Sequence, residues 1–340
     1  MVGLHGWQDN ANTFSTLLPQ LNVSSFLGID APGHGLSSHL PPGKIYNFME
    51  YVIVFRRVVK YFNWEKFSIF GHSFGSTVGY VYASLYPEEV KSFISFECAR
   101  TLLMMYTVDL ASTASAGIDK VLKIEKQLAE KPRPTYKLSD MAKGYSQASL
   151  GSVTPESALI LLQRGACPAE KVKIDNTKTE KEESKRTDLT GFVSSIEKKH
   201  QLEKKALSTA KYEEIDKANV RILEAAEKNV KRIKDFQFKD DNKFYFFTRD
   251  PRIKVNAFGA FNEELITECA KNIKCPVLSM RSEEGFLHGT TGEVFMATND
   301  IIKNNNYLEH HEVKGSHHAH LNNPENLAPI INNFLKNYNP

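Results

Sequence analysis

Short apolar runs and stretches of helical spacing alternate along the first hundred residues. Residues 1–5 read as an apolar strand that ends in a glycine turn at Gly6. Between residues 12 and 21, Phe14, Leu17, Leu18 and Leu21 share one helical face, and Asn12 or Thr13 can cap it. Residues 25–30 predict a second strand, closed by the turn Ala31-Pro32-Gly33-His34-Gly35. A helix follows over 46–61, a short buried strand over 67–70, a helix over 73–86 stopped by Pro87, and a strand over 90–96. This order predicts a parallel sheet with right-handed crossovers.

The alternation then stops. Residues from about 100 to 250 are mostly helical in pattern. It resumes with a strand over 276–280, a helix over 294–304, a strand over 307–313 and a final helix over 324–338. A helical segment between two halves of one sheet predicts an inserted cap: core at 1–98 and 261–340, cap at 99–260. Inside the cap, more than half of residues 170–186 are charged and few are apolar, which reads as a solvated excursion. Residues 192–236 regain helical spacing through Ile196, Leu202, Leu207, Ile215 and Ile222, a long amphipathic helix or hairpin packed as an arm.

Composition narrows the class. A chain of 340 residues suits one large α/β domain with an insertion, and 41% hydrophobic with 24% charged residues is ordinary for a globular protein. The formal net charge of +3 is too small to imply a nucleic-acid or membrane partner. The four cysteines show no CxxC pair or metal spacing; Cys98, after a strand, reads as a core thiol, and the usage fits a reducing compartment. No apolar run is long enough to span a bilayer, no signal peptide precedes the first strand, and the C-terminal Tyr338-Asn339-Pro340 is not a peroxisomal tripeptide. The expected location is the cytoplasm, with peroxisome or vesicle association as the alternative.

The sharpest chemical signal is Gly71-His72-Ser73-Phe74-Gly75. G-x-S-x-G alone is weak, but here a predicted strand runs into it and a predicted helix leaves it, the context a nucleophile elbow requires. The turn presents a serine hydroxyl at the carboxyl edge of the sheet, and the helix N-terminus behind it favours developing negative charge. Leu4-His5-Gly6-Trp7 ends the first strand, so the backbone N–H of Trp7 pairs with that of Phe74 as the expected oxyanion hole. His5 is expected to brace this loop, and the 30–37 turn to be structural.

A serine needs a base. Residues 313–321 follow the last strand and carry His317, His318 and His320. His317, directly after the glycine turn, is the expected base; His318 or His320 braces the loop. A zinc cluster is set aside because no cysteine or acidic ligand spacing lies nearby. For the acid that orients the base, Glu284 beyond the 276–280 strand is preferred, with Glu97 at the end of the 90–96 strand as the alternate.

These motifs, together with L-L-Q-R-G (161–165), T-R-D-P-R-I (248–253) and G-S-H-H-A-H-L-N-N-P, resemble the serine hydrolase-like proteins, the kraken-related branch of the α/β-hydrolase superfamily. The resemblance implies an α/β-hydrolase fold with a helical cap, a hydrolase without a cofactor, Ser73 as nucleophile and His317 as base. It does not settle the acid. Two departures stand out. The antiparallel strand pair that opens such proteins is expected to be missing ahead of Met1, and 166–242 is long enough to be an insertion in the cap. The expected function is acyl transfer on a small-molecule carboxylic ester or thioester. Rivals are a carbon–carbon bond hydrolase or lyase on the same scaffold, and a binding protein with a lapsed site. Dehalogenase and epoxide hydrolase chemistry would need an aspartate in place of Ser73.

Overall fold

The computed structural model describes residues 1–98, 110–169, 242–255, 263–285 and 290–338. Six strands form one sheet in the order β2 (Leu27–Ile29), β1 (Val2–Leu4), β3 (Phe67–His72), β4 (Val90–Phe96), β7 (Val277–Glu284) and β8 (Leu308–Ser316), with every neighbouring pair parallel. β3 is buried at all six positions, as a central parallel strand covered on both faces must be. Its side chains alternate: Phe67 and Ile69 enter one core, Phe70 the other.

The first core packs helices α1 (Phe48–Tyr61), α2 (Phe74–Leu85) and α6 (Glu263–Asn272) against the sheet. α1 starts where Asn47 accepts a hydrogen bond from the Glu50 N–H, and it buries Tyr51, Val52, Phe55 and Val59 on one stripe. α6, which the periodic reading passed over, adds Ile266, Ala270 and Ile273. The second core lies on the opposite face, where Phe14, Leu17 and Leu21 meet α8 (Ala328–Tyr338) through Ile331, Phe334 and Leu335. α7 (Thr290–Asn305) joins the last two strands.

One predicted helix dissolves into two single turns of 3-10 helix, Ala11–Phe14 and Leu18–Gln20. Pro19 cannot donate to Ser15 and disfavours a helical Leu18. Asn10 caps the first turn instead, and the Thr16 hydroxyl donates to the Leu321 carbonyl at 2.7 Å. Phe14 and Leu17 are buried all the same, because burial set their spacing. β7 and β8 run several residues past their expected ends, since each supplies the other's ladder as far as Glu284 and Ser316.

Between β4 and α6 lie α3 (Leu110–Glu130), α4 (Leu138–Ala148) and α5 (Pro155–Gly165), with Thr154 capping α5. α4 and α5 share a third apolar cluster, and Leu321 from the loop after β8 completes it. The helical reading missed a small antiparallel sheet, β5 (Ala166–Pro168) against β6 (Tyr245–Phe247). The chain leaves through one of these strands and returns through the other. The charged excursion at 170–186 and the arm at 192–236 lie outside the described residues. Among those described, no helix is long and apolar enough to cross a membrane.

Candidate active site

β3 delivers His72 and Ser73 to the carboxyl edge, and α2 begins at the next residue. Ser73 has φ +50° and ψ −116°, a conformation that costs a non-glycine residue roughly 1–3 kcal/mol. The surroundings hold it there. The Ser73 N–H donates to the Phe96 carbonyl at 2.8 Å, and the Ser76 hydroxyl donates to the same oxygen at 3.2 Å. The flanking glycines are forced by close approach. A Cβ on Gly71 would lie 2.4 Å from the Ser76 Cα, and one on Gly75 would lie 2.0 Å from the Leu4 carbonyl oxygen. β1 and the elbow therefore touch, which brings the Trp7 loop and the first turn of α2 side by side; the Trp7 and Phe74 rings pack edge to face at 4.8 Å.

His317 sits in the loop after β8. Its carbonyl accepts from His72 Nε2 at 2.9 Å, and its ring lies 4.9 Å from that of His72, so the loop is anchored beside the elbow. The carboxylate that reaches it is Glu97: Oε2 lies 2.6 Å from His317 Nδ1. The preferred candidate from sequence, Glu284, ends β7 with an exposed side chain and pairs with Ser316 in the ladder. The placement of these two carboxylates has a local cause. Glu97 follows β4 in a left-handed conformation, φ +67°, and its N–H donates to the Met280 carbonyl at 2.9 Å. That turn aims the side chain under β7, where Oε1 accepts from the Ser282 N–H. Gly285 makes room, since a Cβ there would fall 2.3 Å from Glu97 Oε2. Burial opposes ionisation of Glu97, yet the His317 contact and the Ser282 N–H outweigh it and hold the carboxyl below its ordinary range.

The other expected supports are in place around this centre. The His5 ring links Gly6 to the next turn: Nδ1 donates to the Gly6 carbonyl at 2.8 Å and Nε2 accepts from the Ala31 N–H at 3.0 Å. Asp30 takes N–H groups from Ala11 and Leu36 and pairs with Arg164 at 2.7 Å. Asp250 receives the Tyr46 hydroxyl at 2.9 Å and pairs with Arg252 at 2.8 Å. The L-L-Q-R-G and T-R-D-P-R-I segments thus tie the helical segment to the core.

His34 is fully buried in the 30–37 turn. Burial pushes its imidazole down to about 3 from 6.5. The unfolded chain then binds the extra proton between pH 6.5 and 3, so this residue's contribution erodes as pH falls below 6.5, by about 1.4 kcal/mol per unit. Urea unfolding at pH 7 and pH 5 should show the loss, and His34→Asn should flatten the slope whatever its absolute stability. An unchanged slope counts against the assignment.

Sequence reasoning overlooked a buried polar group next to the elbow. Asp9, His72, His318 and His320 are all under 10% exposed. Asp9 Oδ2 lies 3.3 Å from His318 Nε2 and 3.6 Å from His72 Nδ1. The Tyr145 hydroxyl of α4 reaches in, donating to the Gln8 carbonyl at 2.5 Å with Asp9 Oδ1 at 3.3 Å. His320 Nε2 meets the Thr13 hydroxyl at 2.7 Å, and its ring lies 4.0 Å from that of His72. Burial pushes His72 down to about 4, whereas the facing His318 and His72 hold the Asp9 carboxyl well below its ordinary range despite its burial. Part of the signal was present, as His72 stands in the elbow motif and His318 and His320 in the 313–321 segment, whereas Asp9 joins them only through the fold.

A family model described as alpha/beta hydrolase fold matches residues 1–119. The chain is similar to a probable serine hydrolase of Drosophila melanogaster, 29% identical over 338 residues that cover 99% of this chain and 80% of that one. It is also similar to a serine hydrolase-like protein of Homo sapiens, 33% identical over 166 residues, 48% of this chain and 79% of that one. A solved structure of a hypothetical protein from Pseudomonas aeruginosa shares the fold with a TM-score of 0.62 at 22% identity, covering 98% of this chain and 88% of that one.

Proposed function

Since the chain belongs to the serine hydrolase-like family, hydrolases of the α/β-hydrolase fold, we propose that it cleaves carboxylic esters or thioesters by acyl transfer through Ser73, His317 and Glu97. The observation that carries this reading is the Glu97–His317 contact, buried beside a serine on a strained elbow.

In this mechanism His317 takes the Ser73 proton as the oxygen attacks the carbonyl. Glu97, ionised and buried, keeps the imidazole proton on Nδ1, so Nε2 is free to accept, and it stabilises the imidazolium that forms. The backbone N–H groups of Trp7 and Phe74 hold the oxyanion. The tetrahedral adduct collapses, His317 returns its proton to the alcohol or thiol that leaves, and the acyl group stays on Ser73. Water, deprotonated by His317, then attacks the acyl-enzyme and releases the acid.

An apolar crevice lined by Leu4, Ile29, Tyr51, Phe55, Phe74 and Val78 lies under the oxyanion side of the elbow. Its volume of about 30 Å³ holds no more than a methyl-sized group, so a longer acyl chain would lie against the surface above it, and we assign the helices between β4 and α6 to a cap over the site. The test is a panel of p-nitrophenyl esters of increasing acyl length, run with a matching thioester. Each methylene that the cap covers should raise kcat/KM by up to about fourfold, the equivalent of ~0.8 kcal/mol. A folded protein that turns over none of them and ignores fluorophosphonates overturns the proposal.

A further inference from the structure

Asp9, His72 and His318 come from the ends of β1, β3 and β8, and one ligand-type atom of each lies within 4.8 Å of the others. The hydrogen bond to His72 decides which of its atoms faces inward. His72 donates Nε2–H to the His317 carbonyl, so in the neutral ring Nδ1 is a lone pair. That Nδ1 is fully buried, has no hydrogen-bond partner among the described residues, and points at Asp9 Oδ2 from 3.6 Å. The Ser152 hydroxyl lies 2.8 Å from His318 Nδ1, a contact that serves either tautomer; with the proton on Nδ1, the Nε2 lone pair faces the same oxygen at 3.3 Å. In that tautomer two nitrogen lone pairs and a carboxylate oxygen converge in a buried site, the donor set of a cation; without one, His318 turns Nε2–H toward Asp9.

The geometry points to a zinc-class divalent cation held by Asp9 Oδ2, His72 Nδ1 and His318 Nε2. Ligand bonds of about 2.0–2.1 Å in a tetrahedron put ligand atoms about 3.3 Å apart, close to the 3.3 and 3.6 Å of the two pairs that include Asp9, while the two nitrogens lie within 4.8 Å of each other. The outer partners fit too. Each imidazole has its second nitrogen engaged, by the His317 carbonyl or by Ser152, and the second carboxylate oxygen of Asp9 faces the Tyr145 hydroxyl. Three protein ligands of N, N and O type suit zinc over calcium or magnesium, and a water would complete the shell. An ion there would pin three strand ends beside Ser73 and His317, a structural role independent of the hydrolytic proposal.

The test uses the full chain stripped with a chelator and titrated with zinc or cobalt(II) alone. One equivalent should bind, cobalt should give the visible band of a tetrahedral site without thiolate, and zinc at a hundredfold excess over Kd should raise Tm by several degrees. Asp9→Asn should weaken binding at least a hundredfold and Ser152→Ala about tenfold, the cost of losing an orienting partner. His311→Ala, in a half-buried pair with Glu309, should leave binding intact. If Asp9→Asn does not fold, zinc X-ray absorption on the wild-type chain decides: two imidazoles with oxygen, and no sulfur, are expected. Absence of uptake by the folded wild type, a sulfur-containing shell, or undiminished binding by a folded Asp9→Asn overturns the site and leaves a proton shared between His72 and Asp9 as the account.

Discussion

Ser73→Ala is expected to abolish labelling by a fluorophosphonate and to lower ester hydrolysis by about 10⁴-fold or more, since the remaining groups keep only the catalysis that binding and the oxyanion donors supply. The fold should survive. Alanine carries the same Cβ as serine and no hydroxyl to place, so the strain at φ +50° is neither added nor relieved. Ser73→Gly separates the two roles of this position. It should be as inactive as the alanine variant yet more stable by about 1 kcal/mol, because glycine takes a positive φ without penalty. Mass spectrometry of the labelled peptide and thermal unfolding of the three proteins read both effects. Persistent labelling of the folded alanine variant would move the nucleophile elsewhere.

Glu97→Gln is the second large effect, with an expected loss of about 10³–10⁴-fold in the acylation rate. Glutamine nearly preserves the shape, but its carbonyl oxygen is claimed by the Ser282 N–H, as Glu97 Oε1 is now. The amide nitrogen is then left facing His317 Nδ1. Two donors cannot share that contact, so the imidazole proton moves to Nε2 and the base can no longer accept from Ser73. Glu284→Gln should change the rate by less than about threefold, because its side chain is exposed and makes no part of this contact. Stopped-flow acylation by an activated ester compares the variants. A crippled Glu284→Gln beside an active Glu97→Gln would refute the geometric assignment. A fall below about tenfold in both, roughly 1.4 kcal/mol, would describe a serine–histidine dyad.

Much of this site is legible along the chain because an elbow is a local device. Strand, glycine, serine, glycine and helix all lie within a dozen residues, and the steric demands that select Gly71 and Gly75 come from β1 and from the next turn of the same segment. Apolar spacing likewise places β1, β3, β4, α1 and α2, since burial of one face or of both repeats every two or 3.6 residues whatever the partner is. The loop that carries His317 follows from order alone, as the loop after the last strand of a parallel sheet opens at the same edge as the elbow.

Which carboxylate meets His317 did not follow, and the reason is physical. β4 and β7 are neighbours, with Phe96 level with Met280, so both carboxylates end at one edge and sequence distance ranks neither. Two backbone facts decided between them, the left-handed turn at Glu97 and the open space at Gly285, and both depend on sheet order and register. The Asp9, His72 and His318 group is the same case on a larger scale. Residue 9 and residue 318 stand 309 positions apart and meet at 3.3 Å. Torsion preferences and periodicity act over a few neighbouring residues, so the chain alone placed most of the core elements and the elbow that presents Ser73. Which side chains then faced one another was decided only when the strands assembled, because that contact energy exists between segments and within none of them.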